Sequence, residues 1–323
     1  MGRMLDGTWY REDRFPTDEG GRFVRAATVF RDTVTSEPGA AHPVVSGRYH
    51  LYVSWACPWA HRVLIGRELL GLQSAISVCA AHPHMGEDGW VFADGKAAIP
   101  DAVGGVDFLW QAYARADAEF TGRVTVPVLW DRETNTIVNN ESREILRMLG
   151  TQMTALHGAN APDLCPPDLR PAIDEAIDAI YEPINNGVYR AGFARTQSAH
   201  EEAVTQLFEA LEHWEGVLAQ HRWLCGDRFT EADICLFTTL VRFDSVYVTH
   251  FKCNVKRLVE YPNLWGFCRD IYQMPGVAGT VHLAHIKQHY FGSHRSINPH
   301  GLVPLGPQLD LQAPHDRDRA SWA

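Results

Sequence analysis

No apolar run in the 323-residue sequence approaches the roughly 20 residues that span a bilayer, so a transmembrane helix is not expected. The opening MGRMLDGTWYREDRF has no signal-peptide apolar core, and a cytoplasmic location is expected. No CxxC pair occurs. The seven cysteines are odd in number and scattered, which argues against a disulfide framework or a structural zinc site and for reduced thiols. Basic residues are outnumbered, 29 Lys and Arg against 39 Asp and Glu. With a formal charge of −10 and no basic stripe, a nucleic-acid partner is not expected.

What is present is enough apolar material, 46% of residues, for two packed domains. In "YHLYVSWACPWAHRVLIGRELLGL" the run Leu51-Tyr52-Val53 reads as a buried strand. From Pro58 the period becomes helical, with Val63, Leu64 and Leu70 apolar and Arg62 and Arg67 polar. Proline suits the first helical position, where its missing N–H has no partner to lose. Gly71 marks the stop. Cys57 therefore falls at the helix N-cap, where exposed N–H groups and the helix dipole favour negative charge. That makes it a candidate thiolate nucleophile.

The order of elements sets the fold class. Residues 1–45 read as a polar, extended N-terminal arm. Residues 46–155 read as strand, helix, strand (Ala75–Ala80), a long insertion at about 82–122, strand (Val124–Trp130), strand (Thr136–Val138) and helix (Glu141–Leu149). A βαβ half followed by a ββα half is the thioredoxin-like plan. The insertion exceeds ordinary loop lengths, so it is functional or partly helical. Past the proline-rich "APDLCPPDLRP" linker, residues 165–305 read as an all-helical C-terminal domain, with helices near 171–185, 197–220, 230–244, 261–273 and 276–291. Residues 306–323 read as an irregular tail.

Several local signals bear on the site. In "GRVTVPVLWD" a proline interrupts a strand pattern, where it cannot donate to the ladder. In thioredoxin-like folds a cis proline here faces the cysteine, and the preceding residue, here Val126, offers its backbone to a thiol peptide. A trans proline on an edge strand is the alternative. "NNESREIL" puts Glu141 and Ser142 at a helix start, fit for capping or for an ammonium and a carboxylate. "RFTEADI" offers Thr230 and Asp233 as a capping box and Phe229 and Ile234 as a hydrophobic staple, a structural device. His282, His285 and His289 share a helical face, but no Cys, Asp or Glu completes a ligand set, and no metal is expected. The other six cysteines read as inert buried thiols.

Taken together, CPWAHR, RVTVPVLWD, NNES, FKCN and the "HIKQHYFGSHRSINP" ending resemble the xi-class glutathione transferases, the glutathionyl-hydroquinone reductases. The likeness spans roughly residues 20–305. It implies an α/β thioredoxin-like N-terminal domain joined to an all-helical C-terminal domain, a homodimer, and glutathione as co-substrate. It further implies Cys57 as nucleophile, Trp90, Arg123, Val126, Glu141 and Ser142 as glutathione ligands, and Tyr189, Tyr247 and Tyr290 lining a hydroquinone pocket. Tyr189 and Tyr290 are also candidates to act on protons, and His285 is a candidate hydrogen-bond partner in that pocket. The family often has Tyr-Tyr where this chain has Tyr290-Phe291. Apart from the resemblance, Trp90 could be a packing anchor, Arg123 a solvated charge, and the tyrosines core residues.

The chemistry turns on position 60, where a dithiol motif would need a second cysteine and Ala60 stands instead. Cys57 cannot close a local disulfide, so a mixed disulfide must be resolved by an outside thiol. The expected activity is reduction of glutathionyl-hydroquinones through a Cys57–glutathione disulfide, with release of oxidised glutathione. An omega-like thioltransferase or dehydroascorbate reductase is the nearest alternative. A non-catalytic interaction module of the same fold is the other, and it would need none of Cys57, Arg123 and Glu141.

Overall fold

The computed structural model describes residues 2–11, 15–95 and 97–318. The chain divides into two compact units. The first holds the described part of Met1–Arg14 with Ala26–Pro162 and Thr280–Val303; the second holds Phe15–Arg25, Asp163–Gly279 and the described part of Pro304–Ala323.

The first unit begins with a hairpin of β1 (Gly2–Leu5) and β2 (Thr8–Arg11), a departure from the extended arm expected for residues 1–45. Met4 is fully buried and exchanges backbone hydrogen bonds with Gly122, so the hairpin is held on the end of the insertion. This anchoring rests on Met4 and on Trp9, stacked on Trp110 at 6.4 Å between centroids, and the alternating polar residues hide it from a hydropathy pattern. Residues 30–32 run beside the later β6 strand, with the Asp32 N–H donating to Val138 and the Asn140 N–H donating to Phe30.

The central sheet has the order β4-β3-β5-β6, with β3 (Tyr49–Val53), β4 (Ile76–Ala80), β5 (Val128–Asp131) and β6 (Thr136–Asn139). β3 is parallel to β4 and antiparallel to β5, and β5 is antiparallel to β6. All five residues of β3 are buried, as suits a central strand, with the polar His50 met by Ser77 Oγ at 2.8 Å. α1 (Pro58–Leu69) joins β3 to β4. Gly71, at φ +69°, ends it: the Gly71 N–H bonds to Glu68 O at 3.1 Å and the Leu72 N–H to Arg67 O at 2.9 Å, the paired pattern of a Schellman cap. The insertion contains α2 (Leu109–Ala116), whose Leu109, Ala112 and Tyr113 are buried at helical spacing. β5 begins at Val128 rather than Val124, because Tyr113, not a ladder partner, takes the Thr125 carbonyl and Pro127 has no N–H to pair. α3 (Ser142–Thr151) packs on α1, where a Cβ at Gly66 would lie 2.4 Å from Leu146 Cδ1.

The second unit is helical. It contains α4 (Arg170–Ile180), α5 (Gly187–Phe193), α6 (Gln197–Gln220), α7 (Glu231–Arg242), α8 (Val248–His250) and α9 (Pro262–Tyr272). Every residue of α7 is buried, and its start carries the expected capping box: Asp233 accepts from the Thr230 N–H at 2.7 Å and from the Leu224 N–H at 2.8 Å. Two π-helical turns, Tyr181–Asn185 and Phe243–Tyr247, interrupt the predicted 171–185 and 230–244 helices. At the first, Asn185 donates to Cys235 O and to Thr239 Oγ1, so the irregular backbone is tied to α7.

The last helix, α10 (Leu283–Ser293), belongs to the first unit, not to the helical domain expected over 165–305. Its bonds explain the placement. His289 Nδ1 lies 2.9 Å from Pro83 O, Ser293 Oγ accepts from the Met85 N–H at 3.0 Å, and Thr280 Oγ1, just before the helix, lies 2.8 Å from His61 Nε2 of α1. No helix among the described residues is long and apolar enough to cross a membrane.

Candidate active site

Cys57 is the N-cap of α1, with extended backbone at φ −74°, ψ 119°, and Pro58 follows in the first turn. Its thiol donates to the Val126 carbonyl at 3.5 Å, and the Val126-Pro127 peptide is cis. The thiol makes no capping hydrogen bond, so the first-turn N–H groups of α1 are the natural donors to the sulfur once it carries charge. Cys57 and Cys225 are half-buried and the other five cysteines are buried. Burial pushes the Cys79, Cys253 and Cys268 thiols well up and the Cys225 thiol up to about 11.

Tyr113 ties together Thr125 and Asn140, the residues that precede Val126 and Glu141. Its hydroxyl donates to Thr125 O at 2.9 Å and accepts from Asn140 Nδ2 at 3.0 Å. Sequence reasoning missed this residue; the only signal was the helical spacing of Leu109, Ala112 and Tyr113 inside an apparent loop.

Glu141 and Ser142 stand at the start of α3, as expected. Glu141 caps the helix through the Arg143 N–H at 3.3 Å and also accepts from Thr28 Oγ1 at 3.3 Å, while staying half-buried. Ser142 is buried, donates to Glu141 Oε1, and accepts from Arg62 Nη1 at 3.5 Å. Arg62 lies over the Trp59 ring at 4.5 Å, so a buried cation from α1 meets the start of α3. Arg123 is half-buried. Trp90 is buried and stacks on His289, centroids 5.0 Å apart.

The residues expected for the hydroquinone pocket divide between the units. His285 and Tyr290 lie on α10 in the first, both buried; the Tyr290 ring meets His289 and His294 edge-on at 5.5 and 5.4 Å. Tyr189 and Tyr247 lie in the second, ring centroids 6.2 Å apart. The histidine trio of α10 does not converge: His282 packs on Trp55 at 4.3 Å and His289 on Trp90. Among the described residues three potential metal ligands come together elsewhere, at His50, Cys79 and Asp101, within 4.8 Å. There Asp101 already accepts from the Val103, Gly104 and Val106 N–H groups and from the Tyr52 hydroxyl, the work of a loop anchor.

A thioredoxin-like unit with a cysteine at a helix start, beside the Val126 carbonyl of a cis Val126-Pro127 peptide, and a separate helical unit define a glutathione transferase architecture. The family model "Glutathione S-transferase, N-terminal domain" matches residues 56–152, and "Glutathione S-transferase, C-terminal domain" matches residues 197–270. The chain is 52% identical to the glutathionyl-hydroquinone reductase YqjG of Escherichia coli (strain K12), over 98% of this chain and 99% of that protein. Among solved structures, a xi class GST from Natrialba magadii has a TM-score of 0.92 at 52% identity, covering 98% of this chain and 97% of the other. The glutathione-bound structure of YqjG from Escherichia coli K-12 has a TM-score of 0.89 at 49% identity, covering 98% and 99%. The chain belongs to the xi class of the glutathione transferases.

Proposed function

We propose that the protein reduces glutathionyl-hydroquinones to hydroquinones with glutathione as the reductant. The observation that carries the chemistry is Cys57 at the start of α1, 3.5 Å from the Val126 carbonyl, with Ala60 where a resolving cysteine would stand. The relative YqjG, 52% identical over nearly its whole length, supports the substrate class.

In the first step the Cys57 thiolate attacks the sulfur of the glutathionyl-hydroquinone. The S–S bond forms as the S–C(aryl) bond breaks; the electron pair stays on the aryl carbon, which takes a proton. The aryl carbon is reduced and the sulfurs are oxidised to a Cys57–glutathione disulfide. In the second step a glutathione thiolate attacks the glutathione sulfur of that disulfide, releasing oxidised glutathione and the Cys57 thiolate. Transferases that conjugate instead use a hydroxyl to hold a glutathione thiolate; a thiol in that place turns the chemistry to deconjugation.

The glutathione peptide is assigned to the Val126 backbone, to Glu141 and Ser142 at the start of α3, and to Arg123 and Trp90. A carboxylate suits a guanidinium, and an ammonium suits the half-buried Glu141 carboxylate. Tyr189, Tyr247, Tyr290 and His285 are the candidates for contact with the hydroquinone ring, Tyr189 and Tyr290 also for proton transfer. A homodimer and a cytoplasmic location complete the reading. Turnover of a glutathionyl-hydroquinone is to be compared with that of hydroxyethyl disulfide and of dehydroascorbate. Preference for the hydroquinone conjugate is expected. Faster turnover of either of the others would make the protein an omega-like thioltransferase or dehydroascorbate reductase.

A further inference from the structure

His50 brings into the sheet a buried nitrogen that the sheet does not use. The residue is 2% exposed, and its Nδ1 lies 2.8 Å from Ser77 Oγ on the neighbouring β4. That contact leaves Nε2, which has no hydrogen-bond partner among the described residues. Nε2 faces Asp101 Oδ1 at 3.9 Å, beyond hydrogen-bond reach. A buried polar atom left unmet costs about 1–3 kcal/mol, so a group that takes up its lone pair would be stabilising.

Strand register supplies the next donor. His50 pairs with Ser77 and Tyr52 with Cys79 in the parallel β3–β4 ladder, so His50 and Cys79 share one face of the sheet. The third donor comes from the insertion. A His50 ring nitrogen, Cys79 Sγ and an Asp101 carboxylate oxygen all lie within 4.8 Å of one another. Donors around a tetrahedral zinc, with bonds of about 2.0–2.3 Å, stand about 3.3–3.6 Å apart, so a small contraction would complete the set. All three residues lie in the first unit. Asp101 Oδ1 accepts from the Val103 and Gly104 N–H groups, and Oδ2 from the Val106 N–H and the Tyr52 hydroxyl. Those bonds hold the carboxylate in place and leave it the weakest donor of the three. They do not account for His50 Nε2.

We propose that His50, Cys79 and Asp101 bind one zinc ion, which pins the insertion to β3 and β4. Ligation through Nε2 has Nδ1 carry the proton and donate it to Ser77 Oγ, the outer hydrogen bond that orients a metal-ligating histidine. The Cys79 thiol releases its proton to solvent as the sulfur–zinc bond forms. Thiolate and carboxylate then balance the dication, so the buried ion adds no net charge. A thiolate, imidazole and carboxylate set suits zinc, whereas magnesium and calcium take oxygen donors. Residues 102–105, next to the carboxylate, are exposed or half-buried and offer the ion a short path from solvent. The inference is independent of the reaction proposed for Cys57.

The test uses the full-length protein, reduced and stripped with a chelator, and titrates it with cobalt(II) as a spectroscopic stand-in for zinc. One cobalt per chain should bind with a thiolate-to-cobalt charge-transfer absorption that added zinc displaces. Cys79→Ala should abolish that absorption, and His50→Gln should weaken binding about tenfold or more. Cys57→Ser should leave both unchanged. Circular dichroism shows whether each variant folds. A second measurement needs no variant: X-ray absorption of the zinc-loaded wild type should show one sulfur at about 2.3 Å with nitrogen and oxygen neighbours. A wild type that binds no cobalt or zinc would overturn the proposal, as would a zinc shell without sulfur. Absorption that survives Cys79→Ala, or is lost in Cys57→Ser, would place the metal on another thiol and overturn it equally.

Discussion

The Cys57 thiol donates its proton to the Val126 carbonyl across 3.5 Å, joining the start of α1 to the approach of β5. The contact holds the thiol of the proposed nucleophile in its protonated form. When the thiol loses its proton the contact becomes repulsive, and the first-turn N–H groups of α1 are the compensating donors.

The balance can be measured by iodoacetamide alkylation against pH. Dipole and N–H groups favour the thiolate, and Cys57 is only half-buried, so its midpoint should fall below the ordinary thiol value near 8.5. Cys225, the other half-buried thiol, should react only as pH nears 11, because burial, reinforced by Asp233, holds its proton. A Cys57 midpoint at or above about 8.5 would show that the helix start does not activate it.

Cys57→Ser should fold normally, since serine is a good N-cap residue. Reductase turnover should fall to about 1% or less, because the serine hydroxyl stays protonated at neutral pH and forms no mixed disulfide. Turnover in pure protein well above that level would remove Cys57 from the mechanism.

Ala60→Cys would place a second thiol one turn into α1, at a buried position. The new thiol should attack the Cys57–glutathione disulfide and release glutathione internally. Mass mapping of tryptic peptides after oxidation should show a bridge between positions 57 and 60; glutathione retained on Cys57 would contradict the helix-start geometry.

Tyr113→Phe removes a buried hydroxyl that holds Thr125 O and Asn140 Nδ2. The loss should cost about 1–3 kcal/mol in stability, since buried polar partners are left unmet. Because Thr125 adjoins Val126 and Asn140 adjoins Glu141, KM for glutathione should rise more than kcat falls. An unchanged KM would make Tyr113 a scaffold residue without influence on the glutathione site.

Asp131 is fully buried, accepting from Arg48 at 2.9 and 2.6 Å and facing His42 Nδ1 at 2.7 Å. Burial by itself favours the neutral acid, but the Arg48 bonds, then the His42 bond, hold the carboxyl well below the usual range. The folded state therefore prefers the carboxylate. Its stabilisation is complete above the ordinary Asp value near 3.9 and is lost as pH falls below it. Asp131→Asn should lower stability by about 3 kcal/mol at pH 7, leaving Arg48 poorly paired. By pH 3 that gap should narrow by about 1 kcal/mol; urea melts at both pH values would show it, and a constant gap would contradict the linkage.

The sequence by itself determined the elements whose causes are local. Pro58 and Gly71 bound α1 because each meets a backbone requirement within a turn of its own position. Thr230 and Asp233 start α7 through bonds three residues apart. Cys57 and Ala60 carry the proposed chemistry, and their spacing on one helix start is fixed by the chain. The tertiary structure decided what depends on distant partners. Met4 finds Gly122, α10 is held by Pro83 and Met85 while Thr280 before it meets His61, and Tyr113 ties α2 of the insertion to Thr125 and Asn140. Arg25 lies 5.0 Å from the Tyr189 ring centroid, 164 positions away in sequence, in a segment whose Phe15 and Phe23 pack on Phe193. Hydropathy and spacing record what a residue does to its own backbone and which side of an element is apolar. They carry nothing about which remote carbonyl, ring or amide the fold will bring to it.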